Sequence, residues 1–335
     1  MKEKRSRAKR FLVSQGLIHP GEPANWTALT GGVSSDLWLV ESAGRSLCVK
    51  AALETLRVAD DWHAPVRRNS AEYRWLAYTG RLAAGHVPQL LAHDEAAGFF
   101  AMEYLPPERY PVWKTELMAG RVERETARAV GDLMGRLHAV SASDPGVPQA
   151  FSTDEIFAAL RIEPYFETTA RRNPISADRL RALAGRTAST RRALVHGDLS
   201  PKNILVGPHG PVLLDAECAW FGDPAFDPAF CLTHLLLKSV IRPESAAALR
   251  WAAEALLGAY LQHADWEPAS DVEARVTTLL PALLLARVDG ASPVEYLAPQ
   301  QQAAVRTWAI SQLTAMPDAA DAMLDRWFAT ATRSE

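Results

Sequence analysis

A chain of 335 residues with 48% hydrophobic content is too long for one small core and apolar enough to bury a large one, so two lobes or domains are expected. A formal net charge of −3 argues against nucleic acid as a partner, and no apolar run is long enough for a signal-peptide core or a membrane span. Cys48, Cys218 and Cys231 are scattered singly, without zinc or disulfide spacing, which fits a soluble protein in a reducing cytoplasm.

The first hundred residues read as strands joined by turns, because short apolar or alternating runs such as LWLV, SLCVK and FFAMEYL are bounded by Gly, Ser and Asp. One helix is inserted among them, beginning near Asn69 and running through EYRWLAYTGRL. The proline-rich LPPERYP segment disfavours helix and marks a joint, which divides the chain into lobes at 1–105 and 106–335. Beyond it the pattern turns helical: Val130, Leu133, Met134 and Leu137 fall on one face behind Glu123 and Glu125. Further helices are expected over Phe226–Lys238, Ala246–Gln262, Asp271–Arg287 with a bend at Pro281, and Gln300–Phe328 with a break at Pro317. The fold class is therefore α+β, a small β-rich lobe followed by a larger helical one.

One β-like interruption in the helical half carries the chemistry. In VHGDLSPKNILV, Asp198 and Asn203 lie five positions apart between two short strands, and LLDAE follows with Asp215 and Glu217. Phosphoryl transfer needs such a set: a carboxylate to orient and deprotonate a hydroxyl, and hard oxygen ligands for Mg²⁺ on nucleotide phosphates. Asp198 suits the first task, while Asn203 and Asp215 suit the second.

The pieces H-G-D-x-x-x-x-N at His196 to Asn203 and D-x-E at Asp215 to Glu217 resemble those of the aminoglycoside phosphotransferase and choline kinase family, distant relatives of protein kinases. The resemblance spans nearly the whole chain. It implies a two-lobed protein-kinase-like fold, the use of ATP and Mg²⁺, Asp198 as catalytic base, and Asn203 and Asp215 as metal ligands. Glu217 then either assists a second metal or ties loops together. Asp227, in GDPAFDPA, resembles the family's structural Asp that braces the catalytic segment, and His196 orients the loop by hydrogen bonding. His138 reads as a packed or surface histidine.

Upstream, the same resemblance makes LTGGVSSDLWLV a phosphate cover, with Gly31, Gly32 and Ser34 bringing backbone close to the nucleotide. Lys50, near the end of an apolar strand, would reach the α- and β-phosphates. Glu72 is either its partner on the inserted helix or the closing residue of an Asn69-x-x-Glu72 capping box. Met102, Glu103 and Leu105 match the hinge that holds the adenine edge.

The expected activity is ATP-dependent phosphorylation of a hydroxyl on a small molecule, a sugar-like or amino-alcohol metabolite. An antibiotic phosphotransferase is the alternative, and an inactive nucleotide-binding pseudokinase the alternative of another class. DAECAWFGDPAFD, with Trp220, and LLARVDG, with Arg287, are similar to methylthioribose kinases and imply a sugar-like metabolite touched by those two residues. Against this, acidic residues outnumber basic ones from Phe221 onward, which would suit a cationic antibiotic if they lined the cleft. The chain lacks H-R-D, A-P-E and Walker A patterns, which disfavours protein kinases and P-loop enzymes.

Overall fold

The computed structural model describes residues 2–29, 35–53, 65–315 and 319–331. Its N-terminal part is built on a five-stranded antiparallel sheet: β1 (Asn25–Ala28), β2 (Ser35–Ser42), β3 (Arg45–Ala52), β4 (Leu90–Asp94) and β5 (Phe99–Glu103), in the spatial order β1-β2-β3-β5-β4. The β2–β3 hairpin turns through Ala43 and Gly44, both at positive φ, the conformation that matches the twist of the flanking strands. Alternation on these strands sorts the two faces. Leu47, Val49, Ala51, Phe99 and Ala101 pack on helix α1 (Lys2–Ser14) through Ala8, Phe11 and Leu12. Cys48, Phe100 and Met102 point the other way, into the main core that includes Trp75 and Leu76 of helix α2 (Arg68–Leu82).

Helix α1 is an addition to the expected pattern. Its charged residues dominate the composition, but Ala8, Phe11 and Leu12 recur at helical spacing and cover a sheet face that would otherwise be wet.

The C-terminal part is mostly helical. It opens with α3 (Trp113–Met118), α4 (Arg124–Ser143), and the single turns α5 (Val147–Ala150) and α6 (Asp154–Phe157). A ten-residue π-helix, Ala158–Glu167, follows directly and holds Pro164; α7 (Thr168–Arg172) and α8 (Ala177–Ser189) complete this group. Two small ladders then interrupt: β6 (Ala193–Val195) with β9 (Trp220–Gly222), and β7 (Ile204–Gly207) with β8 (Gly210–Leu213). The remaining helices are α9 (Phe226–Ile241), α10 (Ala246–Leu261), α11 (Ala269–Asp289), α12 (Pro299–Thr314) and α13 (Ala320–Ala331). Helix α11 continues through Pro281. Helices α12 and α13 are separate elements, and Pro317, the expected break, lies outside the described residues. Among the described residues no helix is long and apolar enough to cross a membrane, and all three cysteines are buried and free.

Helices α4 and α10 meet at glycines. A Cβ on Gly131 would lie 2.0 Å from the Leu256 carbonyl oxygen, and one on Gly135 would lie 2.8 Å from that of Tyr260. Backbone cannot retreat as a flexible side chain can, so any larger residue must push the helices apart. We therefore predict that Gly131→Ala lowers unfolding free energy by about 3 kcal/mol in denaturant titration; a variant as stable as the parent would contradict this packing.

Candidate active site

Buried charges on three segments converge beneath the sheet. The Lys50 ammonium, on the α2-facing side of β3, lies 2.6 Å from the Glu72 carboxylate and also pairs with Asp215, just beyond β8. Of the two readings of Glu72, the ion pair is the one that forms. Helix α2 starts at Arg68 without a side-chain cap, and Asn69 instead donates to the Gly98 carbonyl. Burial pushes the Glu72 carboxyl up to about 8 against the pull of Lys50, because Asp215 and Glu217 add like charge. Burial also works to raise Asp215, but Lys50 and then Lys202 outweigh it and hold that carboxyl well below its ordinary value. Asp215 adopts φ 65°, a left-handed conformation that Asp tolerates better than most residues.

Asp198 follows β6 on a loop whose shape is fixed from below. Asp227, fully buried in the first turn of α9, accepts the backbone N–H groups of His196 at 2.7 Å and Gly197 at 2.8 Å. His138 is buried and donates to the same carboxylate at 3.2 Å, so it braces this brace. Gly197 sits at φ 75°, where a Cβ would lie 2.7 Å from Cys218, so only glycine fits. Burial lowers the His196 pKa and keeps the ring neutral. Its Nδ1 then accepts the Asp198 N–H at 3.1 Å while Nε2 donates to the Leu214 carbonyl at 3.0 Å.

The Asp198 carboxylate itself is flanked by cations. Arg161, from the π-helix, approaches Oδ1 at 2.8 Å, and Lys202 approaches Oδ2 at 3.1 Å. Burial works to raise this carboxyl, yet Arg161 and then Lys202 hold it below its ordinary value. Asn203 donates its amide to Asp198 Oδ2 at 2.8 Å, which leaves the amide oxygen for another partner. The Asn203 carbonyl accepts the Leu214 N–H at 2.9 Å, so the loop holding Asp198 is tied to the strand leading to Asp215.

The Asp215 carboxylate and the Asn203 amide oxygen suit a hard divalent cation that also takes phosphate oxygens. Among the described residues no three His, Cys, Asp or Glu side chains form a closed metal cage. An open pair is what a metal arriving on a nucleotide requires. Glu217 receives Arg68 Nε at 3.1 Å and also lines the cavity beside Asp198.

Two further expectations meet different environments. Trp220 is buried against Phe157, with ring centroids 4.1 Å apart, and beneath the Arg191 guanidinium. It is a packing residue and does not line the cavity, because β9 turns it inward between helices. Arg287 does line the cavity, donating to Tyr165 Oη at 3.0 Å. Met102 is buried on β5, and Glu103 next to it spends its N–H on the Gln89 carbonyl. Leu105 follows in the irregular segment after β5. Gly31, Gly32 and Ser34 lie outside the described residues.

The cavity in front of Asp198, about 350 Å³, contains residues that the motif reading passed over: Lys114, Arg161, His234, Lys238 and Tyr296. For Arg161 and Lys238 the signal was a lone charge within an apolar helix, as in AALRI and HLLLKSV.

The profile described as "Phosphotransferase enzyme family" matches residues 25–271, close to three quarters of the chain. The chain belongs to this family. It is 26% identical to a methylthioribose kinase of Escherichia coli, over 67% of this chain and 60% of that protein. It is 24% identical to methylthioribose kinase 1 of Oryza sativa, over 60% of this chain and 53% of that protein. The chain thus spans about 60% of the length of the E. coli relative, or less of the rice one. An amicoumacin kinase solved with AMP-PNP and Ca²⁺ superposes with TM-score 0.56 at 15% identity, covering 93% of this chain and 95% of that one. Choline kinase LicA from Streptococcus pneumoniae gives 0.52 at 16%, covering 93% and 99%. These likenesses establish the two-lobed kinase-like fold.

Because Asp227 satisfies two backbone donors and His138 in a dry core, its removal strands all three. Asp227→Ala in this phosphotransferase-family chain should lose at least about 3 kcal/mol of stability by denaturant titration, with turnover falling alongside. A stable, active variant would show that the loop is held by other means.

Proposed function

We propose that this chain transfers the γ-phosphoryl group of MgATP to a hydroxyl group of a small molecule. The observation that carries this reading is the bonded series Glu72–Lys50–Asp215 and Asn203–Asp198, with Leu214 and Asn203 linking its two halves. Family membership and the methylthioribose kinase likeness support it. Residues 1–105 form the nucleotide-binding lobe, and residues 106–335 the catalytic and acceptor lobe.

In this reading Lys50, oriented by Glu72, directs its charge at the α- and β-phosphates. Backbone around Glu103 to Leu105 meets the adenine edge, with Met102 packed beside the ring, and Gly31, Gly32 and Ser34 cover the phosphates. Asp215 and Asn203 would hold Mg²⁺, which would supply compensation of phosphate charge; Glu217 supports their loop through Arg68. Asp198 orients the acceptor hydroxyl and takes its proton. Its lowered pKa makes it a weak base, and a loose phosphoryl-transfer transition state asks for little more. Arg161 and Lys202 keep it ionised and stand where charge on the transferring phosphoryl group needs compensation.

Asp198→Asn keeps the shape but removes the proton acceptor, so turnover should fall at least about 100-fold while calorimetric affinity for MgATP stays nearly constant. Substantial remaining activity would remove Asp198 from this role. In the parent, the depressed Asp198 pKa implies that the acid limb of kcat begins only below about pH 5; a limb at neutral pH would assign the proton to another group. Lys50→Ala should raise KM for ATP and lower kcat together, and unchanged ATP kinetics would contradict phosphate contact.

A further inference from the structure

The inner end of the cavity is unusual for what its polar groups lack. Lys238, on α9, is 1% exposed, and among the described residues no carboxylate lies within ion-pair distance of its ammonium. Its contact is the face of Tyr296, at 3.6 Å from the ring centroid. The Tyr296 hydroxyl is itself buried without a hydrogen-bond partner, as is Arg287 Nε. Lys114 from α3 lies 5.7 Å from the same ring and pairs with Glu295 at 2.6 Å. A buried ammonium with no counter-ion is costly to keep, and the ordinary outcome would be an apolar residue in so apolar a helix.

Across the whole cavity, Lys114, Arg161, Lys202, Lys238 and Arg287 face Asp198, Glu217 and Glu295. Arg68 already compensates Glu217, so the wall carries excess positive charge. A polyamine or quaternary ammonium acceptor would be repelled there.

We infer that the acceptor is an acid: a hydroxylated small molecule whose carboxylate or phosphate seats between Lys238, Arg287 and the Tyr296 hydroxyl while its hydroxyl meets Asp198. This deepens the phosphotransferase reading and rests on it for the fate of the hydroxyl, though not for the binding of the anion. Burial, with repulsion from Lys114 and Arg287 against the weaker pull of Glu295, pushes the Lys238 ammonium down to about 7. His234, on the same helix, is held neutral chiefly by its burial. A bound anion favours protonated Lys238. The affinity for the acid is therefore fullest below pH 7 and declines as pH rises through and above it.

The test uses two matched sets: glycerol, glycerate and glycerol 3-phosphate, and ribitol, ribonate and ribitol 5-phosphate. Each is assayed for ADP release with the full chain and MgATP. At least one acid of a set should exceed its polyol by about 10- to 100-fold in kcat/KM, and the preferred acid tells carboxylate from phosphate. Lys238→Met and, separately, Tyr296→Phe should shrink that ratio by raising KM for the acid, with no matching change in KM for ATP. Lys238→Met should also raise the melting temperature, since a buried charge is replaced by a thioether of similar shape. Equal use of polyol and acid, or a ratio untouched by both substitutions, would overturn the inference. If no compound is phosphorylated, calorimetry of the AMP-PNP·Mg²⁺-loaded protein with inorganic sulfate decides separately. Binding that Lys238→Met abolishes sustains the anion site independently of the phosphotransferase reading, and no binding overturns the site.

Discussion

A single buried ammonium shared by acids from different parts of the chain is the constraint on which the active region depends. Lys50 comes from β3, Glu72 from α2, and Asp215 from the loop after β8. None of the three is comfortable in a dry interior alone. Their pairing makes the position of α2 against the sheet, and of the sheet against the helical part, conditions for each other. Asp227 plays the same part lower down, where one carboxylate gathers two backbone donors and a histidine. The fold is thus closed by charges that could serve chemistry, and rigidity and function share the same groups.

Much of this region was legible because its chemistry is contiguous. His196 through Asn203 supplies a carboxylate, an amide and the ring that shapes their loop within one short run, and Asp215 follows closely. The pairing of Lys50 with Glu72 was only half legible. Asn69 and Glu72 have the spacing of a capping box, and spacing alone cannot say that the helix begins two residues earlier and turns Glu72 to the sheet. Helix α1 escaped notice because charge dominates its composition, although three apolar residues suffice to seat it on the sheet. Trp220 resembled a ligand contact because aromatic residues serve packing and binding equally well; strand direction decides between them.

Net charge over a segment says little about a pocket. The acidic excess after Phe221 belongs largely to outward-facing positions such as Glu244, Asp265 and Asp321, whereas Lys238 and Arg287 turn inward. A sum over a segment weights every residue equally, but a pocket samples only those whose side chains converge. The lone lysine in HLLLKSV therefore says more about the cavity than the net charge of the segment does.

The π-helix that delivers Arg161 also has a bearing on how sequences of this kind should be compared. From this wider turn the guanidinium reaches both Asp198 and the Gly197 carbonyl. Losing one residue between Ala158 and Glu167 would let the backbone relax to an ordinary α-helix and rotate the preceding side chains by about 100° relative to those that follow. A chain with every motif residue intact but one residue fewer in this stretch would then present the carboxylate of this loop without its guanidinium neighbour. Gap placement across this turn, and not motif conservation alone, thus separates chains that share this arrangement from chains that merely share its signature.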